Sequence, residues 1–281
     1  MLLSKTRRFV LSVAFACFSA AMVQPASALT LDDVKKAGKL TVATEALYEP
    51  VEFVQDGKIV GYGRDILDEI TAAWKVDLDQ SDLPFAGILV GLQQKKYDLV
   101  ATTMIMNADR VRQYAFTAPI ATASVTVLKL KGDEKIKSMD DFSGIVLGGV
   151  VPPAGPTVEM QKYIAELGKK GKAPDDFVMF QSLPDMVLAL SNHQVDGIVE
   201  NIIPLGLLAR KHPEKFEVAG TVGKPFYIGW ALRAEDASLR DAINVEIKRL
   251  NDSGKLAELQ QKWFGFKMEL PDSGYMPEGA K

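Results

Sequence analysis

Asp98-Leu-Val-Ala-Thr-Thr-Met-Ile-Met-Asn-Ala-Asp-Arg110 is the stretch that decides how this chain folds. Its start, residues 98–103, reads as a buried strand that runs into a turn. Asn107 is a good N-cap for a helix near 108–115, and Asp109 is a favourable anion in the first turn. A strand followed by a turn and a helix start is the repeating unit of a parallel sheet covered by helices. Arg110 does not fit that pattern, because its charge opposes the positive end of the helix dipole. Either it makes a surface ion pair with Asp109 or Asp65, or it points into a cleft. In a cleft, its guanidinium and the free amides after Thr103 form a bidentate anion site suited to a carboxylate.

The same unit recurs along the chain. Thr30, with Asp33 three residues later, caps a first helix that ends at Gly38. Strands are expected at 40–44, 76–79, 124–130, 145–151, 177–181, 197–200 and 226–232. Helices are expected at 65–74 and near 86–94, 157–169, 184–191, 203–211, 237–253 and 255–263. The glycines of Gly61-Tyr62-Gly63-Arg64 are explained by a turn before the helix at Asp65. Residues 39–123 form one α/β block and 124–225 a second that starts afresh, while 268–281 reads as a loop-like tail. Helices 237–263 have no strand after them, so they pack back on an existing sheet. Two blocks without a flexible linker imply two lobes joined by strands, with the cleft between them as the ligand site.

The chain has 281 residues, 33 basic and 36 acidic side chains and a formal net charge of −3. That length favours two domains, and 47% hydrophobic residues exclude a disordered or collagen-like chain. No basic excess marks a nucleic-acid binder. Lys5, Arg7 and Arg8 precede an apolar run from 9 to 23, and Ala26-Ser27-Ala28 follows, which is the layout of a signal peptide. The run is too short for a spanning helix, which needs roughly 20 residues. Thr6-Arg7-Arg8-Phe9 partly resembles a twin-arginine signal. Cleavage near Ala28 removes three cations and Cys17, leaving 253 residues with charge −6 and no cysteine. An exported, cysteine-free chain must be held by an ordinary core.

Catalytic signatures are scarce. His193 and His212 lie in polar contexts that read as solvated surface, and there is no metal-ligand spacing, phosphate loop or nucleophile elbow. Thr44-Glu45-Ala-Leu-Tyr48-Glu-Pro50 is a turn directly after the first strand, the place where open α/β sheets bind ligands. Glu45 can receive a cation and Tyr48 can cover an apolar or cationic group. Phe85 is either a second platform or core. Glu200 and Asn201 end another strand, where alternation turns only one of them toward the ligand.

Together, 40–53, 56–62, 98–116, 195–197 and the closing Gly254-Lys-Leu-Ala-Glu-Leu-Gln-Gln-Lys-Trp-Phe-Gly265 resemble the family 3 extracellular solute-binding proteins, the polar amino-acid receptors of ABC importers. The resemblance implies the two-lobe α/β fold of a type II periplasmic binding protein, each lobe a mainly parallel sheet flanked by helices, joined by two hinge strands. Lobe 1 would comprise 39–123 and 226–267, and lobe 2 124–225. It further implies a periplasmic monomer that captures a carboxylate-bearing solute for an inner-membrane permease, with no cofactor and no catalysis. Arg110 then looks like the arginine that holds the ligand carboxylate. Thr102, Thr103 and Met104 fall on the carboxylate and amine positions, and Glu45, Tyr48 and Phe85 on side-chain positions. The chain departs from the family at Ile105, where a hydroxyl is usual, and at Asn201, where an acid usually pairs the ligand ammonium. It departs again at Pro152-Pro153-Ala154, which replaces a hydroxyl-rich anion loop. A second reading on the same fold is a cyclohexadienyl dehydratase-like enzyme, with Glu200 or Glu45 as the cleft acid.

Overall fold

The Thr30 hydroxyl accepts from the Asp33 amide and the Asp33 carboxylate accepts from the Thr30 amide, so a capping box opens α1 (Leu31–Ala37), which Gly38 closes in the left-handed region. The computed structural model describes residues 28–152 and 155–280. The expected leader therefore lies outside the described residues except for Ala28, and Pro153 and Ala154 lie outside them as well. After α1 come β1 (Lys39–Thr44), β2 (Leu47–Tyr48), β3 (Glu52–Gln55), β4 (Lys58–Val60), α2 (Tyr62–Trp74), β5 (Asp77–Asp82), α3 (Phe85–Gln93), β6 (Leu99–Val100), α4 (Ala108–Gln113), β7 (Tyr114–Phe116) and β8 (Ala121–Thr122). The second half runs through β9 (Val125–Leu130), β10 (Val146–Val150), α5 (Gly155–Gly168), β11 (Asp176–Phe180), α6 (Leu183–Ser191), β12 (Gly197–Asn201), α7 (Ile202–Lys211) and β13 (Phe216–Val222). It closes with β14 (Tyr227–Ile228), β15 (Ala231–Arg233), α8 (Ala237–Asp252) and α9 (Lys255–Trp263).

Two five-stranded sheets organise these elements, in the orders β5-β1-β6-β15-β7 and β11-β10-β12-β9-β13. β1 runs parallel to β5 and β6, and β10 parallel to β11 and β12; the strands that return to each sheet are antiparallel. Successive residues face opposite sides of a strand, so each sheet has two apolar faces to cover. Leu40, Val42, Leu99 and Leu232 pack under α2, α8 and α9 with Ile66, Ile70, Ile243 and Leu259. Their neighbours Ala43, Val100 and Ala231 face Ile88 and Leu92 of α3 on the other side. In the second sheet Val127, Leu147 and Val199 meet Met160 of α5, while Leu128 and Ile198 meet Met186 of α6 and Leu205 of α7.

The chain crosses between the sheets twice. At the crossings β8 and β14 pair antiparallel, Thr122 opposite Tyr227 and Ala121 opposite Ile228. These are the two hinge strands of the two-lobe fold.

Several expected boundaries are corrected. The helix expected to 115 ends at Gln113, because Tyr114, Ala115 and Phe116 are buried as an edge strand paired with β15. The strand expected over 98–103 keeps only Leu99–Val100 in the sheet. The strand expected over 226–232 divides into β14, which pairs in the hinge, and β15, which joins the first sheet. α2 begins at Tyr62, not Asp65, with Gly61 as its N-cap at φ 127. The hairpin sheet β2-β3-β4 and the bulged strand β13 were not foreseen. Residues 268–280 contain no helix or strand, yet Met268 donates its amide to Gln260 at 2.8 Å and Tyr275 packs edge-on against Tyr227.

Gly61 sits hard against backbone: a Cβ there would lie 2.4 Å from the Val51 carbonyl oxygen, in a backbone region that side chains rarely adopt. Gly61→Ala is therefore expected to lower stability by about 1–3 kcal/mol in urea unfolding, and an unchanged midpoint would contradict this account of the α2 start.

Candidate functional site

Pro84, the N-cap of α3, provides no side-chain cap, and the Glu45 carboxylate fills the role by accepting from the Phe85 amide at 3.0 Å. An anion at a helix N-terminus is favourable, so Glu45 fixes where α3 starts. That fixes the Phe85 ring, over which the Arg110 guanidinium lies 5.7 Å from the centroid. Asn107 accepts from the Arg110 amide at 2.9 Å and caps α4, while Arg110 Nη1 donates to the Ile105 carbonyl at 3.1 Å. The guanidinium is half-buried, and burial draws its pKa down. No ion pair holds Arg110 among the described residues. Asp109 pairs with Arg112, and Asp65 accepts from Lys262 Nζ at 2.6 Å and Trp263 Nε1 at 2.7 Å. The surface ion pair with Asp109 or Asp65 is thereby excluded. A half-buried cation resting on a ring and one carbonyl retains unused donors for an anion.

Thr102 is buried, with its hydroxyl 3.3 Å from the Glu45 amide and 3.4 Å from Glu52 Oε1. Thr103 donates its amide to Glu52, and its buried hydroxyl lies against the same carboxylate, outside good hydrogen-bonding geometry. Met104 turns its side chain into the core and offers only its carbonyl, which accepts from Gly229 at 3.3 Å.

On the opposite side Tyr48 and Asn201 bridge the lobes, Asn201 Nδ2 to the Tyr48 hydroxyl at 3.0 Å and that hydroxyl to Asn201 Oδ1 at 3.2 Å. Burial pushes the Tyr48 phenol up to about 12. Asn201 Oδ1 also caps α7 by accepting from Ile203 at 3.1 Å. Glu200 bends back onto the Asn201 amide at 2.9 Å and is raised by burial. Both side chains are therefore half-buried at the strand end. Farther along the same interlobe face Lys211 pairs with Glu49 at 3.0 Å, and Arg210 donates to the Trp263 carbonyl at 2.6 Å.

These contacts form one continuous chain. Asn201 touches Tyr48; Tyr48 is the register partner of Glu52; Glu52 holds Thr102 and Thr103; Thr102 meets Glu45; Glu45 positions Phe85; and Phe85 carries Arg110. Ala154 lies outside the described residues. Glu52 was missed by sequence reasoning. It is 2% exposed while Val54 on the same side of β3 is 49% exposed, the reverse of what hydropathy suggests. A signal existed only in its place four residues after Tyr48, across a tight hairpin.

Burial raises the Glu52 carboxyl from 4.5 to about 7, against the opposing pull of the Thr103 hydroxyl and amide. A carboxyl with a raised folded-state pKa binds more protons in the native than in the unfolded chain between those values. Stability should therefore fall as pH rises from about 4.5 to 7, by on the order of 3 kcal/mol. In Glu52→Gln that slope should flatten and stability above pH 8 should match or exceed the parent; an identical pH profile in denaturant titrations would contradict the assignment.

The comparisons agree with this geometry. Over 237 residues the chain is 26% identical to the L-cystine-binding protein TcyJ of Escherichia coli, covering 84% of this chain and 86% of that protein. It is 24% identical over 262 residues to the arginine-binding extracellular protein ArtP of Bacillus subtilis, covering 92% and 98%. The solved structure of a polar amino acid ABC uptake transporter substrate binding protein from Streptococcus thermophilus superposes with a TM-score of 0.75 at 17% identity, over 88% of this chain and 96% of that one. Residues 40–266 match the bacterial extracellular solute-binding proteins, family 3, and the chain belongs to that family.

Proposed function

We propose that the chain is the exported receptor of an ABC importer, capturing a small carboxylate-bearing solute between its lobes and delivering it to an inner-membrane permease. The observation that carries this reading is Arg110, a half-buried cation over the Phe85 ring with no carboxylate partner among the described residues. A bound carboxylate would complete its hydrogen bonds. Relatives that bind cystine and arginine make an amino acid or amino-acid derivative the ligand class. Asn201 carries no charge and is engaged with Tyr48 and the α7 start, so a ligand ammonium would turn to Glu200 or Glu45. Lobe 1 comprises 39–123 and 226–267 and lobe 2 124–225, with β8 and β14 flexing between them and the tail 268–281 outside both. Closure removes the solute from water and sets Tyr48 against Asn201. The receptor works as a monomer in the periplasm after cleavage near Ala28, and it performs capture without chemistry.

The test is calorimetric titration of the purified mature protein with amino acids and their derivatives. Arg110→Ala should weaken the best ligand by roughly 30-fold to several thousand-fold, and Arg110→Lys should recover part of the loss. Unchanged affinity in Arg110→Ala would refute the carboxylate assignment. Prephenate and arogenate should pass through unconverted; turnover lost in Glu200→Gln would replace capture by catalysis.

A further inference from the structure

Asp236 is an N-cap residue whose side chain makes no cap bond to its own helix, α8. It is 0% exposed, and its carboxylate is engaged elsewhere. Oδ2 pairs with Arg233 Nε at 2.5 Å, and Oδ1 accepts from the backbone nitrogen of Leu29 at 2.7 Å. Arg233 is itself 5% exposed and is held by the Leu92 and Tyr97 carbonyls at 3.1 and 2.7 Å. The buried carboxylate thus has one fixed cation on one oxygen and a main-chain nitrogen on the other. Leu29 is the residue that follows Ala26-Ser27-Ala28, the small-residue spacing of the cleavage site.

We propose that processing cuts the Ala28–Leu29 bond and that Asp236 is the receptor for the α-ammonium this creates. The reading rests on the exported function above. Hydrolysis consumes one water: its hydroxyl goes to the Ala28 carbonyl carbon, giving a carboxylic acid on the released peptide that loses its proton to solvent, and its hydrogen goes to the Leu29 nitrogen. That nitrogen then takes a proton from solvent and carries a positive charge. An amide-to-carboxylate hydrogen bond becomes an ammonium-to-carboxylate ion pair, which adds the attraction of a full positive charge.

The position is fixed from both sides. The Leu29 side chain packs on the cluster that contains Leu239 and Ile243. On the chain's far side, the capping box of Thr30 and Asp33 starts α1 one residue later. The charged groups around the new amine are Asp236 and Arg233, with Asp33 on the capping box and Arg240 one turn into α8. Arg233 and the ammonium sit on different oxygens of one carboxylate, which separates the two cations. The ion pair forms only once the leader is gone, so the α1–α8 contact tightens on maturation.

Intact mass of the protein recovered from exporting cells should place Leu29 at the N-terminus; a different first residue overturns the cleavage reading and the proposal with it. In the chain that starts at Leu29, the unprotonated fraction of the α-amine at pH 8, read by NMR titration or reductive methylation, should be about tenfold below that of an ordinary α-amine. An ordinary titration overturns the docking while leaving export intact. At pH 7 the Leu29 chain should melt roughly 2–4 °C above one that retains Ala28. The gap should close in an Asp236→Asn background. Equal melting of the two chains overturns the proposal, and if Asp236→Asn does not fold, the amine titration decides alone.

Discussion

Arg110 is half-buried, and no carboxylate of the described chain reaches it. Taking a cation partly out of water is costly unless something completes its hydrogen bonds, and the described residues supply a ring face and the Ile105 carbonyl. Much of the first lobe serves to hold that arrangement. β6 contributes two residues to the sheet and then leaves it, which frees 101–106 to form the wall beneath the guanidinium. Met104 anchors that wall in the core, and Asn107 sets the start of α4. Phe85 is where it is because Glu45, from the end of a different strand, caps α3.

Below this surface Glu52 ties the wall to the hairpin that bears Tyr48. Its carboxyl sits where burial makes the charged form expensive, and the Thr103 amide recovers part of the loss. The same hairpin reaches across to Asn201, so the floor of the first lobe and the end of β12 form one hydrogen-bonded path. The Tyr48–Asn201 hydrogen bonds join the two parts of the chain that β8 and β14 connect. Asn201 is uncharged, whereas an acid in its place would sit beside Glu200 and repel it.

Elements with strong helical period were readable from the sequence alone. The α1 capping box and the two closing helices are local features, set by residues a few positions apart. β8 was not readable and β14 was read only as part of one longer strand, because two-residue strands have no period and exist only through each other. β7 was hidden for a related reason: Tyr114-Ala115-Phe116 continues an apolar pattern that suits a helix, and only β15 beside it selects the strand. At the site, Arg110 was visible because its charge contradicts the helix dipole. Glu52 was invisible because its environment comes from Thr102 and Thr103, which the hairpin and sheet bring to it from far along the chain.

In the proposed reading Arg110 takes the ligand carboxylate, while Asn201 is neutral and hydrogen-bonded to Tyr48. Recognition should depend most on the carboxylate. The most direct measurement is a pair of calorimetric titrations with the best-binding amino acid and with its carboxamide, identical except for the charge that Arg110 would meet. The carboxamide should bind about 100-fold more weakly or worse. Equal affinity for the two would show that Arg110 does not hold a ligand carboxylate.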